Sequence, residues 1–169
     1  MEFGDRTRFA VSLELDADSG GPWMFGKFCY WIGGRRVGDY ELGTSLRDVL
    51  SALKWIVADA GKRDDCRRFT MPREEVYREI DSSLYGHAEK AGSEFEIGPT
   101  AQFDVHPRVD VFDEWKVYLI EYGDEGRLLY KNSPDRSVNE FFLRKGEFDA
   151  CIKPAWDELN RMYDREMDS

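Results

Sequence analysis

The 169-residue sequence has no apolar run of membrane-spanning length and no excess of basic residues. The first absence excludes a transmembrane helix, which needs about 20 consecutive apolar residues. Its 34 Asp and Glu against 24 Lys and Arg give a formal net charge of -10. Nucleic acids and anionic membranes are held by basic patches, so this charge argues against autonomous binding to DNA, RNA or such membranes. It favours solubility, or a protein partner whose own surface is basic.

Recognisable catalytic and cofactor-binding motifs are missing. The sequence contains no Walker loop and no G-x-G-x-x-G, G-x-S-x-G or H-E-x-x-H pattern. With 34 acidic residues, pairs of carboxylates arise too easily by chance to indicate acid–base catalysis. We therefore predict a protein that is not an enzyme and that needs neither a cofactor nor a metal.

Cysteine is scarce, which bears on the redox compartment. The three cysteines, Cys29, Cys66 and Cys151, are odd in number and far apart in the sequence. This pattern predicts reduced thiols rather than a disulfide framework. Residues 1–6 are polar, and acidic from the second position, so they do not resemble a signal peptide. Together these features predict a cytoplasmic protein.

The sequence contains only two histidines, His87 and His106. His106 follows Asp104 by two residues, and with the nearby Asp110 the pair could bind a divalent metal. Cys66 could also form a nucleophilic pair with His87 or with His106. Neither arrangement has a supporting local motif, so we expect neither a metal site nor a nucleophile.

Alternating apolar and polar residues predict strands in both halves of the chain. In residues 8–15 large apolar side chains occupy every second position, which is typical of a strand with one buried face. Gly33-Gly34 indicates a two-residue hairpin turn, and residues 123–126 a four-residue turn. The predicted strands are 8–15, 23–32, 35–40, 115–122, 127–131 and 137–144.

Apolar residues at spacings of three and four predict helices. The first begins at a capping box, in which Ser45 is the cap and Asp48 the acid three residues on. Trp55 lies nearly opposite the apolar stripe of this helix. Pro154 predicts a kink or an interruption in the last helix. The predicted helices are 46–60, 72–85 and 147–167.

The order of these elements indicates the fold class. Three strands joined by turns are followed by two helices, a weakly patterned stretch, further strands and a last helix. This order predicts an α+β fold with a mainly antiparallel sheet of about five to seven strands and two to four helices packed on it. Doubly wound parallel folds need strands and helices to alternate, which they do not do here. No repeat or linker interrupts the chain, so we predict a single domain over residues 1–169.

Acidic residues are denser in the second half, where the net charge is -6 over residues 102–169 against -4 over residues 1–101. A solvated rim would explain any one of them. A surface complementary to a basic protein would explain them together. Trp55 either packs on a neighbouring element or, if exposed, is an apolar anchor for the partner. The predicted partner-binding acids are Asp104, Asp110, Asp113, Glu114, Asp124 and Glu125.

Aromatic and glycine-rich motifs are spread over about residues 3–160. They are Phe3-Gly4-Asp5-Arg6, Arg8-Phe9-Ala10-Val11, Gly21-Pro22-Trp23, Phe25-Gly26, Tyr30-Trp31-Ile32, Gly38-Asp39-Tyr40-Glu41-Leu42-Gly43-Thr44-Ser45-Leu46, Val111-Phe112-Asp113, Trp115-Lys116-Val117-Tyr118-Leu119 and Lys145-Gly146-Glu147-Phe148-Asp149. In these motifs the chain resembles the immunity protein 42 family of bacterial polymorphic-toxin systems.

The resemblance implies a function. It implies an antidote that binds and neutralises a cognate toxin, as in contact-dependent growth inhibition, and so protects the producing cell and its siblings. The toxin is expected to be a nuclease, and the resemblance assigns no toxin-binding residues. The alternative hypothesis is a small enzyme or ligand-binding domain with a pocket on the aromatic-rich sheet near Asp104 and His106.

Overall fold

The computed structural model describes residues 1–86 and 99–168, which form two antiparallel sheets and four α-helices. The first sheet has the order β1-β2-β3-β4, and β5 also pairs with β3. Its strands are β1 (Glu2–Gly4), β2 (Phe9–Leu15), β3 (Phe25–Ile32), β4 (Arg35–Val37) and β5 (Thr44–Ser45). The second sheet has the order β6-β7-β8. Its strands are β6 (Trp115–Tyr122), β7 (Glu125–Asn132) and β8 (Asn139–Arg144).

The helices lie between and after the strands, as the α+β prediction requires. They are α1 (Leu46–Ala58), α2 (Cys66–Thr70), α3 (Arg73–Tyr85) and α4 (Glu147–Met167), with short 3-10 turns at Gly21–Trp23, Ala101–Phe103 and Asp110–Phe112. The fold class and the antiparallel pairing are confirmed. The sequence pattern missed β1 and β5, because strands of three and two residues are too short to show alternation. None of the helices in the described ranges is long and apolar enough to cross a membrane.

Strands β2 and β3 show why the alternating pattern was informative. Val11 lies opposite Tyr30 and Leu13 opposite Phe28, and all four side chains are buried on the same face of the sheet. Because side chains alternate along a strand, this register sends one apolar set from each strand into the core. The predicted strand with a buried face is confirmed.

Helix α1 begins at the predicted cap. The Asp48 backbone N–H donates to Ser45 Oγ at 3.3 Å, which satisfies one of the free amides of the first turn. The buried residues of α1 follow the predicted stripe and are Leu46, Val49, Leu53 and Ile56. Of the kink or interruption predicted at Pro154, the interruption is wrong, since α4 continues through this residue. The proline lies on the exposed side, where the unbonded carbonyl of the preceding turn can meet water.

Two local elements differ from the predictions. Helix α2, which is capped by Asp65, lies where the sequence predicts neither a helix nor a strand, because its five residues are too few to show a periodic pattern. The β6–β7 hairpin has a two-residue turn, Gly123-Asp124, in place of the predicted four residues, because Tyr122 pairs with Glu125. Gly123 has φ +58°, a left-handed conformation that a two-residue hairpin turn favours and that glycine adopts without strain.

The main core joins both sheets. Side chains of β2 and β3, of α1 and α4, and of one face of the second sheet pack together in it. A smaller core lies on the other face of the second sheet, where Tyr118, Ile120 and Leu129 pack against Val76 and Ile80 of α3. Since the second sheet is covered on both faces, its strands carry consecutive apolar residues, at 117–120 in β6 and at 128–130 in β7.

Candidate functional site

An open cleft of about 880 Å³, here called the aromatic cleft, lies where β3 and α1 begin. Three large apolar side chains line it and face solvent: Trp23 is 50% exposed, Phe25 46% and Leu42 60%. The rings of Trp23 and Phe25 are parallel, with centroids 6.5 Å apart. The guanidinium of Arg47 lies 3.8 Å from the Trp23 ring centroid. Apolar side chains clustered at a surface cleft are typical of a binding site.

Hydrogen bonds to the start of α1 hold the aromatic cleft in place. Met24 has φ +53° and is buried, so its side chain points inward while Trp23 and Phe25 remain outside. The Ser45 hydroxyl donates to the Trp23 carbonyl at 2.9 Å, and the Leu46 amide donates to the Met24 carbonyl at 2.9 Å. The cleft is therefore preformed, which lowers the entropic cost of binding.

A second cleft of about 580 Å³, here called the helix cleft, lies between the outward face of α1 and the segment 101–108. Trp55 lines it and is 70% exposed, opposite the buried stripe as the sequence indicated. Asp48 and Arg108 line both clefts, so the two adjoin each other. We call the aromatic cleft and the helix cleft together the α1 surface.

The α1 surface is acidic as well as apolar. Its charged lining residues are the cation Arg108 and the acids Asp16, Asp48, Asp59, Asp104 and Asp110. Asp48 pairs with Arg47 at 3.2 Å, and Asp59 lies 3.7 Å from Lys62. Across residues 1–86 and 99–168, Asp16 and Asp110 form no ion pair. The surface therefore presents negative charge that the described parts of the chain do not neutralise.

Asp104 and His106 form a buried pair at the edge of the helix cleft. His106 Nδ1 lies 2.6 Å from Asp104 Oδ1, and the Val117 amide approaches the same nitrogen at 3.4 Å. Tyr85 Oη and Arg108 Nη2 donate to the other oxygen, Oδ2, at 2.9 and 3.1 Å. Burial raises the pKa of Asp104, but the hydrogen bonds from His106, Tyr85 and Arg108 outweigh it and hold the pKa below the ordinary 3.8.

Replacing Asp104 by asparagine is expected to lower the free energy of unfolding by about 1–2 kcal/mol at pH 7. Because folding lowers the pKa of this carboxyl, its stabilisation is present above pH 3.8 and is lost as the pH falls through the folded-state value. Urea denaturation at several pH values should therefore show the difference from wild type shrinking as the pH falls toward 3. The exposed Asp113→Asn should change stability by less than about 0.5 kcal/mol. A difference for Asp104→Asn that does not shrink as the pH is lowered below 3.8 would contradict this assignment.

The predicted partner-binding residues lie at more than one location on the protein surface. Trp55, Asp104 and Asp110 all line the α1 surface, although the Asp104 side chain is mostly buried. The exposed Asp113 and Glu114 directly precede β6, and Asp113 lines a small cleft with Arg108. They therefore adjoin the α1 surface.

The hairpin acids lie elsewhere. Asp124 and Glu125 are exposed at the turn after β6. The strand has eight residues at about 3.3 Å each, so the hairpin is about 25 Å from Asp113 and Glu114. The six acids do not form one patch.

The other sequence-derived site candidates are not brought together. His106 contacts Val117 near the middle of β6, whereas Cys66 contacts Tyr122 at its end, about 16 Å further along the strand. The pairing of Cys66 with His87 lies outside the described residues. Asp110 accepts a hydrogen bond from Thr44 at 2.6 Å. In the ranges that the structure covers, no group of three or more His, Cys, Asp or Glu side chains could hold a metal ion.

The prediction of reduced thiols is confirmed, since all three cysteines are free. Burial raises the pKa of Cys29 to about 12 and that of Cys151 to about 11. Both are therefore protonated, unreactive core side chains at neutral pH. Cys66 is exposed.

The aromatic cleft was not predicted, although the alternating pattern of β3 contains an indication of it. The core-facing residues of β3, such as Phe28 and Tyr30, occupy even positions. Side chains alternate along a strand, so Phe25 falls on the opposite face, where an apolar residue is a candidate for binding. Leu42 has no comparable signal, because its exposure depends on how the 38–44 loop meets the start of β3.

Comparison with known proteins finds similarity over nearly the whole chain. A family model described as immunity protein 42 matches residues 1–158. The crystal structure of CdiI from Burkholderia dolosa AUO158 superposes with a TM-score of 0.74 at 21% sequence identity, over 94% of this chain and 99% of that one. At that identity the likeness shows a shared fold. Comparison with curated protein sequences gives no match.

Proposed function

The chain belongs to the immunity protein 42 family, and we propose that it neutralises its toxin as a non-enzymatic inhibitor, by forming a stoichiometric complex in the cytoplasm of the producing cell. Family membership supports the toxin-neutralising role. The observation that supports inhibition by binding is the α1 surface, where exposed apolar side chains and unneutralised carboxylates adjoin in preformed clefts.

The net charge supports a nuclease as the toxin. A nuclease must hold phosphates, so its substrate cleft carries basic side chains. A protein of net charge -10 can place carboxylates where phosphates would sit. The opposite charges would also accelerate association of the two proteins by steering.

Titration of the toxin tests the inhibitor mechanism. The chain is co-expressed with the toxin domain encoded beside its gene, the complex is purified, and the two proteins are separated in denaturant and refolded. Nucleic-acid cleavage by the toxin should fall linearly with added chain and reach zero at one molecule of chain per toxin. Full inactivation by catalytic amounts of chain would contradict inhibition by binding. A toxin that is blocked by the chain but does not cleave nucleic acid would contradict only the nuclease assignment.

Charge reversal tests the acidic residues predicted from sequence. Lysine substitution at Asp113 and Glu114 is expected to slow association with the toxin about 10-fold at low salt, because these carboxylates adjoin the acidic α1 surface. The effect should shrink at 0.5 M salt, where the screening length falls below about 5 Å. Stopped-flow or biolayer measurements of the association rate would show it.

Asp124 and Glu125, at the β6–β7 hairpin, provide the matched control for Asp113 and Glu114. Lysine at Asp124 and Glu125 changes the net charge equally, but about 25 Å further along β6, so a smaller slowing is expected. Equal rates for wild type and both double variants, at every salt concentration, would contradict the steering role of these acids. Asp104 is left unsubstituted in this series because its buried carboxylate holds His106.

A further inference from the structure

We infer that the toxin docks on the α1 surface, with Trp55 as the apolar anchor and a segment of the toxin carrying lysine or arginine side chains against its aspartates. This inference rests on the proposed function and deepens it, because it names the surface used and the chemistry of the segment that fits it.

Trp55 is the most exposed large apolar side chain of the α1 surface. A helix that packs on one face has no folding use for a tryptophan on its opposite face, where this side chain is 70% exposed. Burying a tryptophan removes about 150–250 Å² of surface from water. Trp is also among the residues most enriched at the energetic centres of protein interfaces. The Trp55 side chain therefore gains its main burial on complex formation.

The charged residues of the two clefts favour a partner segment of positive charge. Five aspartates and one arginine line the two clefts, and that arginine, Arg108, is already bound to Asp104. Asp16 and Asp110 have no ion-pair partner in residues 1–86 and 99–168. A segment bearing Lys or Arg would neutralise this charge, whereas an acidic segment would be repelled.

Aromatic rings next to carboxylates suit such a segment further. A guanidinium or ammonium binds to the face of a tryptophan ring, and more strongly when it is withdrawn from water. The protein already makes this contact internally, with Arg47 at 3.8 Å from the Trp23 ring centroid. The Trp55 ring, in the adjoining helix cleft, offers the same chemistry to a cation of the partner.

The exposed aromatics Tyr122 and Phe142 do not share this setting. Tyr122 and Phe142 are 47% and 44% exposed, and both rings pack at 6.1 Å on Phe69 of α2, on the far side of the second sheet. They are as exposed as the side chains of the aromatic cleft but already rest on a neighbour. They provide matched controls.

The test measures toxin binding by variants of the full chain. Trp55→Ala is expected to weaken binding about 30-fold or more, the loss typical of an interface anchor. Asp59→Lys should also weaken binding, because the new charge repels a basic segment of the toxin. A lysine at the end of α1 is itself compatible with the helix, so the fold should be kept. Tyr122→Ala and Phe142→Ala should bind within about 3-fold of wild type. Circular dichroism and the urea midpoint check that each variant is folded.

A footprint on the unmodified chain gives an independent readout. Hydrogen exchange of the wild-type complex should show toxin-dependent protection at residues 23–26 and 52–59, and none at the 122–125 hairpin. Two results would overturn the placement of the toxin on the α1 surface and leave the proposed function intact. One is that Trp55→Ala binds the toxin as tightly as wild type, and the other is that the toxin protects only the hairpin. Failure of the wild-type chain to bind the toxin would overturn both.

Discussion

Replacing Arg63 by methionine should lower the free energy of unfolding by about 3–5 kcal/mol. The side chain is fully buried, and its guanidinium donates to the Ile56 carbonyl at 2.7 Å, the Gln102 carbonyl at 2.9 Å and the Asp149 carboxylate at 2.9 Å. Methionine fills most of the same volume but donates to none of these groups. Two carbonyls and a carboxylate would then lose their partner in or near the core, which is the costly way to break a buried ion pair.

Urea denaturation measures this loss, and Lys153→Met is the matched control. The Lys153–Asp157 pair lies in the same helix as Asp149, but both of its side chains are largely exposed. Exposed pairs contribute less than about 1 kcal/mol, so the control should stay close to wild type. Equal stabilities of the two variants would show that the buried hydrogen bonds of Arg63 contribute little.

Arg63 also matters for the α1 surface. Its bonds to Ile56 and Gln102 tie the end of α1 to the 101–103 turn, and these elements form the two walls of the helix cleft. A folded Arg63→Met chain at low temperature should therefore bind the toxin more weakly than wild type although the substituted residue is buried. Binding equal to wild type would mean that the cleft walls keep their spacing without this bridge.

Gly26→Ala should destabilise the protein by about 2–3 kcal/mol, whereas Gly126→Ala should change its stability by less than about 1 kcal/mol. Both glycines lie within strands and neither has a left-handed φ. A Cβ at Gly26 would overlap the Glu14 backbone carbonyl of the paired strand β2. A Cβ at Gly126 would meet the Leu119 Cδ1 atom at 3.3 Å, and that side chain can adjust.

The comparison isolates close backbone approach from the general effect of glycine in a strand. Both substitutions reduce the entropy of the unfolded chain by similar amounts, so that contribution cancels between them. Thermal or urea unfolding gives the two differences. Because Gly26 lines the aromatic cleft beside Phe25, Gly26→Ala should also disturb toxin binding, while Gly126→Ala should not. A Gly26→Ala variant as stable as wild type would contradict the packing that the structure shows at this strand pair.

Local periodicity explains which parts of the fold were predictable. The capped stripe of α1, the alternation of β2 and the apolar run of β6 each depend on neighbours two to four positions apart, and the structure has all three where the sequence indicated them. The position of Trp55 opposite the apolar stripe follows from the same helical period, and the structure shows that the side chain is exposed there. Helix α2 and the short strands were not predicted, because five residues or fewer are too short to show a helical or alternating pattern.

The sequence by itself determined the α+β class, the free thiols, the acidic charge, the family resemblance and the position of Trp55 opposite the apolar stripe of α1. Only the tertiary structure brought Trp23, Phe25 and Leu42 into one cleft, because the start of β3 is hydrogen-bonded to the start of α1. It also placed the helix cleft, which Trp55 lines, beside that cleft. The separation of the hairpin acids from Asp113 and Glu114 follows from the length of β6, which the predicted strand 115–122 already implied. A binding surface is a set of long-range contacts, and these depend on how whole elements pack rather than on any local pattern.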